Sequence, residues 1–310
     1  MRLDIDGRNC ELESGRSILD AVKKEGLDSI MLSDRPLAAQ IGGEVFNLRF
    51  TPKKDTQIHL LRYGEDMGRR VYERTLQFLF ILAMRKEFPR ARVCVRYSLG
   101  PGLFITVDGM EEPFNEEAAL KVETEMRRLV RLKLPLERRR ISIKEALSFY
   151  EQDGQADKAK LLKWRRFSYF DVYQIDGYMD YFYGEMAPDT SYADVFRVKY
   201  VHDGAVVLLM PRSDAPDVPS DYVDLPKLHA VFHQSDEWGK LMECATVNDL
   251  NTHIQNGTIR ELVRINEALH DRGYADIADK IVQKGAKAVL VAGPSSSGKT
   301  TSAHRISTQL

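Results

Sequence analysis

The stretch AVLVAGPSSSGKTTSAHRISTQL, residues 288–310, constrains this chain more than any other part of it. An apolar run enters a loop of glycine and serine, and a helix-compatible segment follows Lys299. Residues 293–300 fit the pattern G-x-x-x-x-G-K-[ST]. Gly293 and Gly298 let successive backbone N–H groups turn inward, which makes a concavity that binds anions. The pattern therefore predicts a strand, a phosphate-binding loop and the start of a helix.

The side chains of this loop suit a bound nucleoside triphosphate. Lys299 supplies a cation for the β- and γ-phosphates, and the hydroxyl of Thr300 can bind Mg²⁺ through the nucleotide. We predict ATP and Mg²⁺ as cofactors and Lys299 as a catalytic residue. The predicted cofactor-binding residues are Gly293, Ser295, Ser296, Ser297, Gly298, Lys299, Thr300 and Thr301.

Phosphoryl transfer needs more than this loop. It also requires an acidic residue for Mg²⁺ and a group that orients the acceptor hydroxyl, and these come from later strands of such a domain. Only ten residues follow Thr300. We therefore expect a chain that is truncated just after the loop and is inactive as a kinase by itself.

Composition sets the general class. At 310 residues, with 43% hydrophobic and 29% charged residues, the chain is predicted to be a soluble globular protein of two or three domains. The net charge of −1 predicts no general attraction to nucleic acid or anionic membranes. The three cysteines are scattered, and no apolar run is long enough for a membrane span. We expect a cytoplasmic protein without membrane contact, and its oligomeric state is left open.

The periodicity along the chain predicts a multidomain α+β fold. Residues 1–65 should form a small module with a hairpin at Asp6-Gly7 and a helix capped by Ser17. Residues 66–212 combine long helices with strands, including a hairpin whose tip is Asp203-Gly204. A loop rich in proline and aspartate opens the linker and helical connector, residues 213–285, in which Gly273 should separate two helices. The predicted strand, loop and partial helix occupy residues 286–310.

Several of these segments resemble known families. Residues 248–310 closely resemble the run into the phosphate-binding loop of bacterial uridine kinases, of the phosphoribulokinase and uridine kinase group. Residues 1–65 resemble a TGS domain, a small ubiquitin-like fold. Residues from 66 to about 210 resemble the second additional domain of threonyl- and alanyl-tRNA synthetases, and the stretches that carry this likeness are FPRARV, PFNEEAALKVETEMRRLV, SIKEALSFYEQDG and YMDYFYGEMAPDT. The resemblance implies the N-terminal part of an ATP-dependent kinase that phosphorylates the 5′-hydroxyl of uridine or a similar nucleoside.

The synthetase resemblance also implies a lost active site. In the synthetases this domain edits mischarged tRNA with a His-x-x-x-His pair and a later Cys-x-x-x-His pair. The corresponding positions hold Arg74, Phe78, Phe182 and Met186 here. None of these side chains is an ordinary zinc ligand, so we expect no zinc and no editing.

Two basic clusters leave RNA binding open. Residues 127–140 contain seven basic residues and one acidic residue, and residues 158–167 interleave basic residues with Trp164 and Phe167. Clustered arginine and lysine can contact phosphates. Because glutamates are close by, a solvated face of mixed charge is the alternative interpretation.

Two further patterns have ordinary explanations beside functional ones. His229 and His233, four residues apart, could share a helix face and bind a metal, or could be partly exposed residues of a connecting segment. The aromatic run over residues 167–184 could stack on bases, or could form half-buried strands.

Three functions follow from these patterns. The first is the kinase part described above, with a nucleotide and a nucleoside as partners. The second is a regulatory or RNA-interaction module without catalysis, which binds tRNA or a similar RNA. The third is an intact editing hydrolase, which would require bound zinc.

Overall fold

The computed structural model describes residues 1–202 and 204–310, which divide into two compact units. The first, here called the sheet unit, combines Met1–Ala146 with Phe167–His229. The second, the helical unit, combines Leu147–Arg166 with Ala230–Leu310. Several sheets and helices are present, so the predicted α+β multidomain class is confirmed. No helix in the described ranges has both the length and the apolar character needed to cross a membrane.

The sheet unit begins with a five-stranded mixed sheet. Its elements are β1 (Arg2–Ile5), β2 (Arg8–Glu11), α1 (Ile18–Lys24), β3 (Ala38–Ile41), β4 (Glu44–Phe46) and β5 (Thr56–Leu61). The strand order is β2-β1-β5-β3-β4, and β1 runs parallel to β5. The hairpin predicted at Asp6-Gly7 is confirmed, with both residues at positive φ. Ser17 caps α1 and shares a reciprocal capping box with Asp20, as predicted.

Two further sheets and two long helices complete most of the sheet unit, while two shorter helices of the same stretch lie mostly or wholly in the helical unit. The next elements along the chain are α2 (Asp66–Glu87), β6 (Arg92–Leu99), β7 (Gly102–Asp108), α3 (Glu116–Leu132), β8 (Glu137–Ser142), α4 (Ile143–Gln152), α5 (Ala156–Leu162), β9 (Tyr169–Ile175), β10 (Tyr178–Asp180), a 3-10 turn (Thr190–Tyr192), β11 (Arg197–His202) and β12 (Ala205–Leu209). The strand orders are β11-β12-β7-β6 and β10-β9-β8. The predicted hairpin forms from β11 and β12, while its tip residue Asp203 lies outside the described residues.

The remaining elements differ from the sequence prediction in two places. They are β13 (Pro211–Arg212), β14 (Ala215–Pro219), α6 (Pro226–Leu241), α7 (Val247–Gln255), α8 (Ile259–Gln283) and α9 (Lys299–Gln309). The predicted loop after residue 212 contains a short hairpin of β13 and β14. The two helices predicted around Gly273 are one helix, α8, because a single interior glycine costs only about 1 kcal/mol.

The strand predicted for residues 288–292 is also absent. This segment has no regular structure, and none of the described strands pairs with it. Leu290 is 94% exposed, and its apolar neighbours are about half exposed. An apolar sequence becomes a strand only where a neighbour accepts and donates its backbone hydrogen bonds, so composition alone predicted this element wrongly.

Helix α2 packs unusually closely on the chain that precedes it. A Cβ atom added to Gly68 would lie 2.0 Å from the backbone oxygen of Arg62. Gly64, four residues earlier, has no atom within 4 Å of the same position. The approach of α2 to the end of β5 therefore depends on the missing side chain at Gly68.

We expect Gly68→Ala to lower the free energy of unfolding by about 3 kcal/mol, because the methyl group must push backbone apart. Gly64→Ala is the matched control and should change it by less than about 1 kcal/mol. Urea unfolding followed by circular dichroism measures both. Equal midpoints for the two variants would contradict the close contact at Gly68.

Candidate functional site

The predicted nucleotide-binding residues lie together at the start of α9. Gly298 precedes the helix with φ 78°, and Ser296 also lies in the left-handed region, with φ 59°. The loop is tight, since a Cβ atom at Gly293 would lie 2.9 Å from the Ser297 hydroxyl oxygen. Ser295, Thr300 and Thr301 are exposed in the same loop and first helical turn.

Lys299 is turned back over this loop. Its ammonium group donates a hydrogen bond to the carbonyl oxygen of Pro294. Two contacts connect α9 to the long helix α8: the hydroxyls of Tyr274 and Ser302 are 3.3 Å apart, and Arg305 pairs with Asp271. The loop thus lies at the N-terminus of α9, where the helix dipole and the lysine would both favour a bound anion, although no strand directly precedes it in the described part of the chain.

The four positions that the synthetase resemblance relates to editing residues lie close together in the sheet unit. Arg74 and Phe78 lie one turn apart on α2, and Phe182 and Met186 follow β10. The ring centroids of Phe78 and Phe182 are 5.3 Å apart, and Phe78 and Met186 are fully buried. The Nε atom of Arg74 donates to the backbone oxygen of Glu185 at 2.9 Å.

The side chains around these four positions are packed as part of the hydrophobic core. The alcohol of Thr75 accepts a 2.9 Å hydrogen bond from the backbone N–H of Ala187, which holds the segment after β10 along α2. Burial lowers the pKa of the Arg74 guanidinium, with nearby charges acting in both directions. No group of three or more potential metal ligands occurs among the residues that the structure describes.

A network of ion pairs borders this core on the β8–β9 ladder. The Glu185 carboxylate accepts hydrogen bonds from Arg138 and from the Tyr173 hydroxyl, the latter at 2.9 Å. Asp171 accepts from Arg138 at 3.0 Å and from Arg140 at 2.8 Å. The Arg140 hydrogen bond, together with the weaker pull of Arg138, holds the pKa of Asp171 below its usual value. Burial, and then the Glu185 charge, raise the pKa of Tyr173.

The run of basic residues at 127–140 is thereby divided. Arg138 and Arg140 face Asp171, whereas Arg139 points to the opposite face of β8 and donates to Gln174 at 2.7 Å. Four of the seven basic residues have carboxylate partners: Arg127, Arg128, Arg138 and Arg140. The other three have no carboxylate partner within the described ranges: Arg131, Lys133 and Arg139. The mixed-charge interpretation therefore accounts for part of the run, and three cations remain for a ligand.

His229 has a different neighbour from the one that its spacing suggested. Its Nε2 atom lies 3.3 Å from the Nε2 atom of His202, and its Nδ1 atom lies 2.8 Å from the Tyr97 hydroxyl. His233 lies further along the same helix, α6. Sequence reasoning missed His202, because only the fold brings the end of β11 to the first turn of α6.

The aromatic run at 167–184 forms strands, as one of its two interpretations predicted. Most of the run belongs to β9 and β10. Phe170 and Tyr173 are buried, while Phe167 and Tyr183 are exposed at its ends. Core packing therefore explains part of its aromatic content, and the remaining rings are half-buried or exposed.

Comparison with known proteins relates part of the chain to one class of enzyme. No family model matches the chain. The chain is 25% identical over 194 residues to a threonine–tRNA ligase of Clostridium kluyveri, which covers 62% of this chain and 30% of that protein. A similar ligase from Carboxydothermus hydrogenoformans is 27% identical over 175 residues, which are 54% of this chain and 26% of that protein. One from Acetivibrio thermocellus is 28% identical over 160 residues, which are 51% of this chain and 24% of that protein.

The match thus spans under a third of the length of these relatives. It supports the resemblance to threonyl-tRNA synthetases found in the sequence. It does not bear on the resemblance to uridine kinases, which stays a prediction.

We expect Phe78→Ala to lower the free energy of unfolding by about 3 to 5 kcal/mol, because it removes a buried ring from a filled site. Phe167→Ala is the control, since Phe167 is 59% exposed and should contribute about 1 kcal/mol or less. Denaturant titration measures both. If the two variants were equally stable, the position of Phe78 would not be core.

Proposed function

We propose that this chain is an RNA-binding module of the threonyl-tRNA synthetase type that binds tRNA without hydrolysing an aminoacyl ester. The observation that carries the proposal is the partial similarity to threonine–tRNA ligases, which by their name act on tRNA. The chain shares only part of their length, so the activity of the whole ligase is not transferred to it.

The packing at the former editing positions supports the non-hydrolytic part of the proposal. Hydrolysis by a metal-bound water needs ligands with lone pairs and an open coordination position. Phe78 and Phe182 supply rings in contact, and Arg74 supplies a cation that is already bound to a backbone oxygen. A zinc ion does not fit among these groups.

The three basic residues without carboxylate partners support the binding part. Arg131 and Lys133 lie at the C-terminal end of α3, and Arg139 lies on β8. Phosphate contacts by lysine and arginine supply most of the nonspecific affinity for nucleic acid. Binding of this kind is local, and it is compatible with a net charge of −1.

We expect the chain to bind tRNA at low salt, and the triple variant Arg131→Gln, Lys133→Gln, Arg139→Gln to bind it more weakly. Losing three phosphate contacts should reduce the slope of log Kd against log salt by about 2 to 3. Fluorescence anisotropy with labelled tRNA, repeated over a range of salt concentrations, measures both quantities.

The control for this experiment removes the same charge elsewhere on the sheet unit. Arg8→Gln, Lys53→Gln, Lys54→Gln changes three exposed residues and should keep the original slope. Absence of any binding at low salt would overturn the proposal. Release of the amino acid from mischarged tRNA by the purified chain would contradict its non-hydrolytic part.

A second candidate function is binding of a nucleoside triphosphate at the loop of residues 293–301, which would serve a uridine-type kinase. The exposed backbone of the loop, the Lys299 ammonium group and the Thr300 hydroxyl are donors that suit phosphates and Mg²⁺. ATP with Mg²⁺ would supply the transferable phosphoryl group. Lys299 would have to exchange its hydrogen bond with Pro294 for one with a phosphate oxygen.

We expect weak, Mg²⁺-dependent binding of a fluorescent ATP analogue that is lost in Lys299→Ala. The lysine supplies the one side-chain cation of the loop, and its removal should cost roughly tenfold or more in affinity. Lys287→Ala, at an exposed lysine before the loop, is the control. Equal affinities of the two variants would remove the loop from consideration as a nucleotide site.

A further inference from the structure

The helical unit contains an open groove that none of the functions above uses. It has a volume of about 860 Å³ and is lined by α5 with the residues after it, by α7, and by the turn that follows α7. This volume is in the range of sites for small organic ligands and nucleotides. All of its walls belong to the helical unit.

One wall presents an aromatic ring that is held in place and partly exposed. Trp164 is 37% exposed, and its indole Nε1–H donates to the amide oxygen of Asn248 at 3.0 Å. That hydrogen bond connects the segment after α5 to α7 and restricts the rotation of the ring. A partly exposed ring that is fixed in this way suits stacking on a nucleobase, because every base has a π-face.

The same wall carries two exposed lysines, Lys160 and Lys163, three residues apart along the chain. Neither lysine has a carboxylate within salt-bridge distance in the part of the chain that the structure describes. Both lysines line the groove itself, so this side of it carries two positive charges. A phosphate beside the ring would therefore meet unneutralised cations.

The rest of the lining is polar, and one of its two carboxylates is already bound. The Asp249 carboxylate accepts hydrogen bonds from the backbone N–H and the hydroxyl of Thr246, at 2.9 and 2.8 Å, and so caps α7. The Nδ1 atom of His253 lies 2.8 Å from the Thr258 hydroxyl, which leaves Nε2 for other contacts. Glu243 is the other carboxylate of the lining. The amide, hydroxyl and imidazole groups among these residues suit hydrogen bonds to a ribose.

We infer that this groove binds one nucleotide, with its base stacked on Trp164 and its phosphate at Lys160 and Lys163. The nucleotide is either a residue of single-stranded RNA or a free mononucleotide, since both present the same base, ribose and phosphate. The RNA form of the inference rests on the proposed tRNA-binding function. The loop of residues 293–301 takes no part in it.

The tryptophan content of the chain permits a direct test. The full chain has two tryptophans, Trp164 and Trp238, so Trp238→Phe leaves Trp164 as the one indole emitter. We expect the fluorescence of this variant to be quenched on titration with a short single-stranded RNA of mixed sequence or with AMP, because stacking quenches indole emission. Quenching by the RNA alone identifies a strand as the ligand, and equal quenching by AMP identifies a free nucleotide.

A charge variant tests the phosphate contact. Lys160→Gln, Lys163→Gln, made in the Trp238→Phe background, should weaken RNA binding about tenfold or more and lower the salt slope by about 1.4, as expected for two contacts with a single strand. Lys280→Gln, Lys284→Gln, at the C-terminal end of α8 and just beyond it, removes the same charge from exposed positions and should have no such effect. Circular dichroism of each variant checks that the helices remain.

The outcomes separate this inference from the proposed function. Anisotropy with labelled tRNA that shows binding, with no response of Trp164 to RNA or AMP, overturns the groove and leaves tRNA binding intact. Quenching by AMP without tRNA binding supports the groove as a mononucleotide site and overturns the proposed function. An equal loss of affinity in the two lysine variants also overturns the assignment of the phosphate contact.

Discussion

The packing of α2 is the constraint on which the sheet unit depends. Eleven of its 22 residues are buried, and among them are large aromatic side chains as well as Gly68, which has no side chain. Its polar groups complete the backbone hydrogen bonds of neighbouring loops: the Tyr72 hydroxyl donates to the carbonyl of Val195 at 2.7 Å and accepts from its N–H at 3.0 Å. A helix that supplies apolar contact and hydrogen bonds together fixes the segments after β10, so few of their side chains are left to rearrange around a ligand.

The packing at Arg74, Phe78, Phe182 and Met186, the positions that the synthetase resemblance relates to editing residues, follows from the same helix. A catalytic metal site needs polar ligands near an open space, and such groups destabilise a core when they are not coordinated. Here the rings of Phe78 and Phe182 are in contact instead of polar ligands around an open space. Burial lowers the pKa of Arg74 and so disfavours its charged form.

Local sequence patterns predicted local structure well. The Asp6-Gly7 hairpin and the Ser17 cap depend on residues within a few positions of each other, and both were confirmed. Features that depend on distant partners were not predictable: the contact of His229 with His202 joins residues 27 apart, and that of Trp164 with Asn248 joins residues 84 apart. The arginines at 138–140 looked equivalent in sequence. Only the register with β9 showed that Arg139 faces away from the carboxylates that bind its neighbours.

The loop of residues 293–301 shows the same division within a single motif. The left-handed residues Ser296 and Gly298 and the start of α9 are local features, and they form although residues 288–292 pair with none of the described strands. Anion binding by backbone N–H groups requires only these local features. Orientation of an acceptor hydroxyl requires groups from neighbouring strands of a sheet. Phosphate binding and phosphoryl transfer therefore depend on different levels of structure, and affinity for ATP at this loop would be evidence for the first of them alone.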